Sequence, residues 1–332
     1  MSTESVSAPI LEADRLVKEY AGSGLIARAR AALRAVDGVS FAVETGTTFG
    51  LVGESGCGKT TLARAALYLD PPTSGEVRFE GTLLGALNRQ QLRAFRRRLQ
   101  IVFQDPNGAL DPKMSIRASM GEGLSNLGVA RAERDRRTAA ALELVGIQPA
   151  HAGRYPHEFS GGQKQRITIA RALSMDPRLL VPDEPVSNLD VSIQAQIINL
   201  LLDLKDRLSL TYLFISHDLN LVAYLADRIA VMFRGRIVEL GTAAQILGEA
   251  LHPYTRRLFA SVPRLTGQRI APRMAEEIET EEASRARGTG CRYAERCTRA
   301  DLACAQADPE LHDAGGGHLV ACLKPENNIQ GG

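Results

Sequence analysis

The stretch Gly53-Glu54-Ser55-Gly56-Cys57-Gly58-Lys59-Thr60, "GESGCGKT", lies between a short apolar run, "TTFGLVG" (47–53), and a segment in which Leu62, Ala66 and Leu69 share one helical face. Its spacing is that of a phosphate-binding loop, GxxxxGK[ST], in the strand–loop–helix setting such a loop requires. The glycines let successive backbone N–H groups, from Gly53 through Thr61, wrap an anion, while Lys59 reaches the β and γ phosphates and the Thr60 hydroxyl ligates Mg²⁺. The chain has six lysines against 34 arginines, so Lys59 is not there by abundance. A bare glycine-rich turn is the competing reading; the flanking strand and helix patterns weigh against it. Nucleotide binding is the expectation.

Outward from this loop, "LQIVFQD" (99–105), "RLLVPD" (178–183) and "LTYLFIS" (210–216) repeat the form of a short apolar strand, and "VSFAV" (39–43) alternates apolar and polar residues. Between the last two of the apolar runs, Ile193, Ile197, Leu200, Leu201, Leu204 and Leu208 fall three or four apart, which predicts an amphipathic helix. Strand, helix, strand in repetition predicts an α/β fold, a mainly parallel sheet with flanking helices. Residues 106–158 carry helical patterns such as "RAERDRRTAAALELVG" and no good strand, so a helical subdomain, about 106–175, is expected as an insertion. The polar run from 263 to 290, with "EEIETEEASRARGTG", reads as a linker between residues 1–262 and a cysteine module at 291–325.

Composition narrows the classes. With 332 residues, 44 % hydrophobic and 23 % charged, the chain is long enough for one large domain and an appendage. A net charge of +2 gives no general attraction to nucleic acid or anionic lipid, and the densest basic run, Arg96–Arg98, reads as a solvated helix face. "MSTESVSAPILEADR" has neither the basic start nor the apolar stretch of a secretory signal, and no run approaches the roughly eighteen apolar residues of a membrane span. A cytoplasmic protein, brought to a membrane only by others, is expected. Of five cysteines, Cys57 stands alone and Cys291, Cys297, Cys304 and Cys322 crowd into the last 42 residues, which in a reducing compartment favours metal over disulfide.

Further candidates sit at strand ends. Asp183 in "LLVPDEP" (179–185) is placed to hold Mg²⁺ through water, and Glu184 to orient or deprotonate the water that attacks the γ-phosphate. The plainer alternative is an acidic pair that ends a strand. Pro182 is out of keeping with a central strand, since it lacks an N–H. Gln104, after "IVF", is a candidate for reporting on Mg²⁺ and the attacking water. His217, after "LFIS", is a candidate hydrogen-bond partner of the γ-phosphate. Tyr20, after "RLVKE", is a candidate for stacking on a flat base. An exposed loop glutamine, a structural histidine and a surface tyrosine are the plain readings of these three.

The second glycine pair, in "FSGGQKQR" (159–166), opens a helix in the manner of an anion site. Taken in order, the loop at 53–60, Gln104, "SGGQ" at 160–163, "VPDE" at 181–184, "SNLD" at 187–190 and His217 resemble the nucleotide-binding subunit of an ABC transporter over about residues 10–262. That resemblance implies a P-loop ATPase core with an added antiparallel β part, ATP and Mg²⁺ as ligands, and two ATPase domains packed head to tail. Ser160, Gly161, Gly162 and Gln163 would then close on the ATP held by a partner, with Asp190 at the interface. Asn188 stands where that family usually has alanine.

Finer matches, "AVDGVSF", "DEPVSNLDVSIQAQIINLLLDLK", "GRIVELG", "HPYTRRLFASVP" and the cysteine-bearing terminus, are similar to the F-type ATP-binding subunit of oligopeptide/dipeptide (peptide/nickel) importers. Such a subunit pairs with a D-type ATP-binding subunit beneath two transmembrane permeases. A substrate-binding protein supplies the solute, and the assembly sits at the cytoplasmic face of the inner membrane. The insert "AGSGLIARARAALR" between Tyr20 and Val36 belongs to the same resemblance, its arginines facing membrane, permease or solvent. The alternative, a soluble ABC-type ATPase acting on nucleic acid or the ribosome, normally shows a coiled-coil insertion or a second ATPase copy, and neither is seen.

The terminal cysteines have five, six and seventeen residues between them and no CxxC pair, which suits an iron–sulfur cluster better than structural zinc. The resemblance points to a 4Fe-4S cluster held by Cys291, Cys297, Cys304 and Cys322, with Zn²⁺ the alternative and free thiols the third reading. A stabilising role is expected, since so short a module buries little apolar surface by itself.

Overall fold

A computed structural model describes residues 8–20, 33–260 and 290–325. The predicted alternation of strands and helices is present, distributed over two compact units: one runs through Val43–Thr48 and Phe79–Ile215 and includes the chain up to Leu11, and the other comprises Glu12–Ala42, Phe49–Arg78 and the chain from Ser216 on.

In the first unit the strands Leu99–Val102, Leu179–Pro182 and Thr211–Ser216 pair in parallel, with Leu99 opposite Leu179 and Leu179 opposite Thr211. Leu179–Pro182 and Thr211–Ser216 are buried along their whole length, as apolar runs in a covered parallel sheet must be. Pro182 is the last residue of its strand, and Asp183 N, just beyond, still donates to Val102 O at 2.9 Å. The missing N–H therefore removes one rung at a strand end. The helix Val191–Leu208 buries Ile197, Leu201 and Leu204 of the predicted face and Ile198 beside them, while Ile193 and Leu200 are only half-buried. Leu208, assigned to the same apolar face, is 40 % exposed, because Ser209 turns the chain out of the helix at a positive φ of 51°. Between residues 106 and 175 the structure has the helices Pro106–Ala109, Ile116–Asn126, Arg131–Leu144 and Gly161–Leu173.

In the second unit Thr48–Val52 pairs in parallel with Arg228–Phe233, which turns back antiparallel on Arg236–Thr242. The helix that follows the glycine loop spans Lys59–Ala66, so Leu69, expected on its buried face, lies beyond its end and is 38 % exposed. Leu33 and Arg34, the end of the arginine-bearing insert, open the strand Leu33–Glu44; the rest of that insert and nearly all of the 263–290 segment lie outside the described residues.

The cysteine-bearing segment is anchored to this unit. Its strand Leu319–Val320 adds antiparallel to Glu239 and Leu240. Glu239 is fully buried, and its carboxylate accepts from Leu251 N at 2.7 Å and His252 N at 2.9 Å and meets His318 Nε2 at 2.7 Å. A buried carboxylate persists only with such partners, and here they come from two separate segments. Glu239→Ala is expected to strand all three groups; at roughly 1–3 kcal/mol for each unsatisfied buried group, urea titration should register a loss of at least about 3 kcal/mol. Glu239→Gln, which keeps one acceptor oxygen, should lose less, and equal midpoints for both variants and the parent would show that this junction does not hold the segment.

Candidate functional site

The phosphate-type loop is shaped by backbone crowding. A Cβ at Gly53 would stand 2.2 Å from Met232 O, and one at Gly58 2.3 Å from Ala35 O, so only glycine lets the loop pass these strands. Gly56 has open space around it but a φ of 76°, which favours glycine for conformational reasons instead. The helix Lys59–Ala66 starts with no side-chain cap and no acid in its first turn, leaving its N-terminus as an anion site. Lys59 is buried, and its Nζ donates to Gly53 O at 2.8 Å and Glu54 O at 3.1 Å, which sets the ammonium at the centre of the loop. Ser55, Gly56 and Thr60 are exposed on the loop, while Cys57 is buried and its thiol pushed up by that burial.

Tyr20 ends the strand Pro9–Tyr20 beside this helix. Its hydroxyl donates to Asp70 Oδ2 at 2.8 Å and is hydrogen-bonded to the Thr61 side chain, and Lys18 Nζ lies 5.4 Å from its ring centroid. The ring is thus held rigidly, with 41 % of the residue exposed. His217, in the same unit, is exposed and directly follows the strand Thr211–Ser216; the next residue, Asp218, caps the helix Leu219–Leu225.

Asp183, Glu184, Gln104, Ser160–Gln163 and Asp190 lie in the first unit. Asp183 is buried at the end of its strand. Glu184 adopts a positive φ of 48°, a conformation that costs a non-glycine residue about 1–2 kcal/mol. The turn is tied by Glu184 N to Ile215 O at 2.9 Å and by Ser187 Oγ to Glu184 O at 3.2 Å. Gln104 Nε2 donates to Glu184 Oε2 at 3.0 Å and to Ser187 Oγ at 3.2 Å, so two residues predicted separately meet. Ser187 had not been singled out; it was legible only as part of "SNLD".

Ser160 caps the helix Gly161–Leu173 by a reciprocal pair: its hydroxyl accepts from Gln163 N at 3.4 Å, and Gln163 Oε1 accepts from Ser160 N at 3.0 Å. Gly162 is required by packing, because a Cβ there would fall 2.6 Å from Ile193 Cγ2. Gly161 is not, since its Cβ would meet only Leu189 Cδ2 at an ordinary 3.6 Å. Among the described residues nothing calls for glycine at 161. Asn188 and Asp190 are exposed, and Asp190 opens the helix Val191–Leu208 without a side-chain cap.

Cys291, Cys297, Cys304 and Cys322 line one small cavity with His252 and Tyr293, of about 20 Å³. All four are free thiols. Burial, with thiol neighbours adding to it, pushes Cys291 and Cys322 up from their ordinary range. Among the described residues, no three His, Cys, Asp or Glu side chains are gathered closely enough to hold a single metal ion. Two contacts went unforeseen: Tyr254 Oη accepts from Glu54 N at 3.0 Å, and Arg296 Nη1 pairs with Glu54 Oε2 at 3.0 Å. No spacing in the sequence announces either.

Comparison with known proteins agrees with this layout. The family model described as ABC transporter matches residues 36–187, and that described as oligopeptide/dipeptide transporter, C-terminal region, matches 238–304. The oligopeptide transport ATP-binding protein AppF of Bacillus subtilis (strain 168) is 44 % identical over 93 % of this chain and 95 % of its own. The dipeptide transport ATP-binding protein DppF of Escherichia coli (strain K12) is 42 % identical over 97 % of both. Among solved structures, an ATP-binding cassette determined as a dimer with ADP and phosphate superposes with a TM-score of 0.62 at 26 % identity, covering 70 % of this chain and 98 % of that one. The structure of cbiO1 from Clostridium perfringens, part of the ABC transporter complex cbiONQ, gives a TM-score of 0.63 at 28 % identity over 73 % of this chain and 91 % of its own. The glycine loop, the Ser-Gly-Gly helix and this near-complete alignment lead to one conclusion: the chain belongs to the ABC transporter family of ATPases, among the oligopeptide and dipeptide transport ATP-binding proteins.

Proposed function

We propose that this chain binds and hydrolyses ATP to drive import of peptides or related small solutes. It would do so as the F-type subunit of a head-to-tail heterodimer with a D-type ATP-binding subunit, docked on two permeases fed by a substrate-binding protein. The observation that carries the reading is a glycine at 161, first residue of the Ser160-capped helix, that packing among the described residues does not demand. Such a glycine leaves room for a partner's phosphate. No helix among the described residues is long and apolar enough to cross a membrane, so attachment at the cytoplasmic face would come through the permeases. In this reading residues 1–262 form the ATPase domain, with a helical subdomain near 106–175, and 263–290 link it to the cysteine module.

The residues present suit ATP and Mg²⁺. Lys59 and the loop N–H groups neutralise phosphate charge, Tyr20 offers its ring face to the base, and the Thr60, Gln104 and Asp183 oxygens are the hard donors that Mg²⁺ takes. Bound there, Mg²⁺ offsets charge on the phosphates. Glu184, oriented by the Gln104 amide, takes a proton from the attacking water, and His217 donates to the γ-phosphate. Ser160, Gly161, Gly162 and Gln163 close on the partner's ATP, with Asp190 at the interface.

The same reading assigns a 4Fe-4S cluster to Cys291, Cys297, Cys304 and Cys322, with Zn²⁺ as the alternative. What supports a shared site is that four free thiols line one cavity.

Three outcomes test these assignments. Glu184→Gln in the assembled transporter is expected to retain ATP binding and trap a closed dimer while turnover falls by about 10²–10⁴-fold, whereas Lys59→Ala weakens binding itself; near-parental turnover in Glu184→Gln would remove the role given to that residue. Ser160→Arg should depress turnover at the partner's site and leave nucleotide affinity at this chain's loop unchanged. Vigorous hydrolysis by a strict monomer, indifferent to Ser160→Arg, would contradict the head-to-tail arrangement. Protein purified without oxygen should be brown, with broad absorbance at about 400 nm, and Cys304→Ser should bleach it; colourless protein carrying one zinc per chain would establish the alternative.

A further inference from the structure

Glu54 is the second residue of the phosphate loop, and the cysteine segment and the helix preceding it hold it from two sides. Its backbone N–H donates to Tyr254 Oη at 3.0 Å, and its carboxylate lies 3.0 and 3.3 Å from Arg296 Nη1. Arg296 belongs to the short turn Ala294–Arg296, between Cys291 and Cys297, and its guanidinium also lies 5.9 Å from the Phe233 ring centroid. Tyr254 is buried in a cluster of rings, 4.7 Å from Phe233 and 5.5 Å from Tyr293 between centroids. Tyr293 is itself 4 % exposed, packs 5.7 Å from His252, and with it lines the cavity that the four cysteines surround. The opposite flank of the loop is tied in as well. Arg292 bonds Asp37 and the carbonyl of Arg234, and Gly235 N donates to Cys57 O at 2.8 Å.

An exposed ion pair such as Arg296–Glu54 contributes little to global stability. What it fixes is position: the loop N–H groups must converge on phosphate, and Glu54 is held by backbone and side chain at once. We infer that Arg296 and Tyr254 are positioning residues for the phosphate loop, so that docking of the cysteine segment sets the affinity for ATP. This rests on the reading of Gly53–Thr60 as the ATP loop.

The test is equilibrium binding of a fluorescent ATP analogue to the full chain, with melting of the nucleotide-free protein followed in parallel. Arg296→Gln should weaken binding about three- to fivefold, the upper range for an exposed pair, and leave the nucleotide-free melting temperature unchanged. Arg296→Lys should restore part of the loss. In a Glu54→Gln background Arg296→Gln should have no further effect, and in an Arg296→Gln background neither should Cys297→Ser, which on its own weakens binding. Additive losses from Arg296→Gln and Glu54→Gln, or parental affinity in Arg296→Gln, would overturn the inference. Should Cys297→Ser not fold, Tyr254→Phe, which removes a single hydroxyl, decides the same question: parental affinity there refutes the positioning role. A parent chain whose binding was absent or indifferent to Lys59→Ala would instead overturn the ATP assignment, and this inference with it.

Discussion

Two strands pass so close to the glycine loop that a single methyl group at Gly53 or Gly58 would collide with a backbone carbonyl, and much of the second unit follows from that approach. Met232 O and Ala35 O stand where those Cβ atoms would be, at 2.2 and 2.3 Å. The loop is therefore pressed into one path, and the helix Lys59–Ala66 leaves it with its N–H groups aimed inward and Lys59 folded over its carbonyls. A site for polyphosphate needs such pre-organisation, because donors already in place spend no further ordering entropy on binding. Tyr20, tied to Asp70 and Thr61, extends the same rigidity to the flank where a base would stack.

The first unit meets a different demand. Glu184 is held at a positive φ, with its backbone and the Ser187 hydroxyl closing the turn and Gln104 gripping its carboxylate. Such backbone strain is sustained only where neighbours over-determine it, and here Ile215, Ser187 and Gln104 all hold the residue. Pro182 fits the same account: placed last in its strand, it costs one rung just before pairing closes at Asp183 and the chain turns at Glu184. At the head of the Gly161–Leu173 helix, Gly162 is required by Ile193, whereas none of the described residues requires glycine at 161.

The cysteine segment, expected to depend on a metal for its stability, is also joined to the cassette by protein contacts. The buried Glu239 gathers His318, Leu251 and His252, Leu319–Val320 extends the antiparallel strands, and Tyr293 enters the ring cluster of Phe233 and Tyr254. A staple at the four thiols would thus act on a segment that already reaches the phosphate loop through Arg296.

Features built from residues a few positions apart were legible in the sequence by itself: the glycine-loop spacing with its preceding strand and following helix, the amphipathic Val191–Leu208 helix, the helix opening at Ser160 and Gly161, and the four late cysteines. Local spacing encodes them because helices, strands and tight loops impose fixed periods and conformations on neighbouring residues. Even there, element ends escaped, since Leu69 and Leu208 continue a periodicity that a turn has already broken. Only the tertiary structure decided that Gln104 meets Glu184 80 residues away, that Glu239 meets His318 79 residues away, and that Glu54 is gripped by Tyr254 and Arg296 from 200 and 242 residues downstream. Such contacts leave no period in the chain, because sheet pairing and side-chain packing bring together loops and strand ends whose residue types are ordinary wherever they are read one at a time.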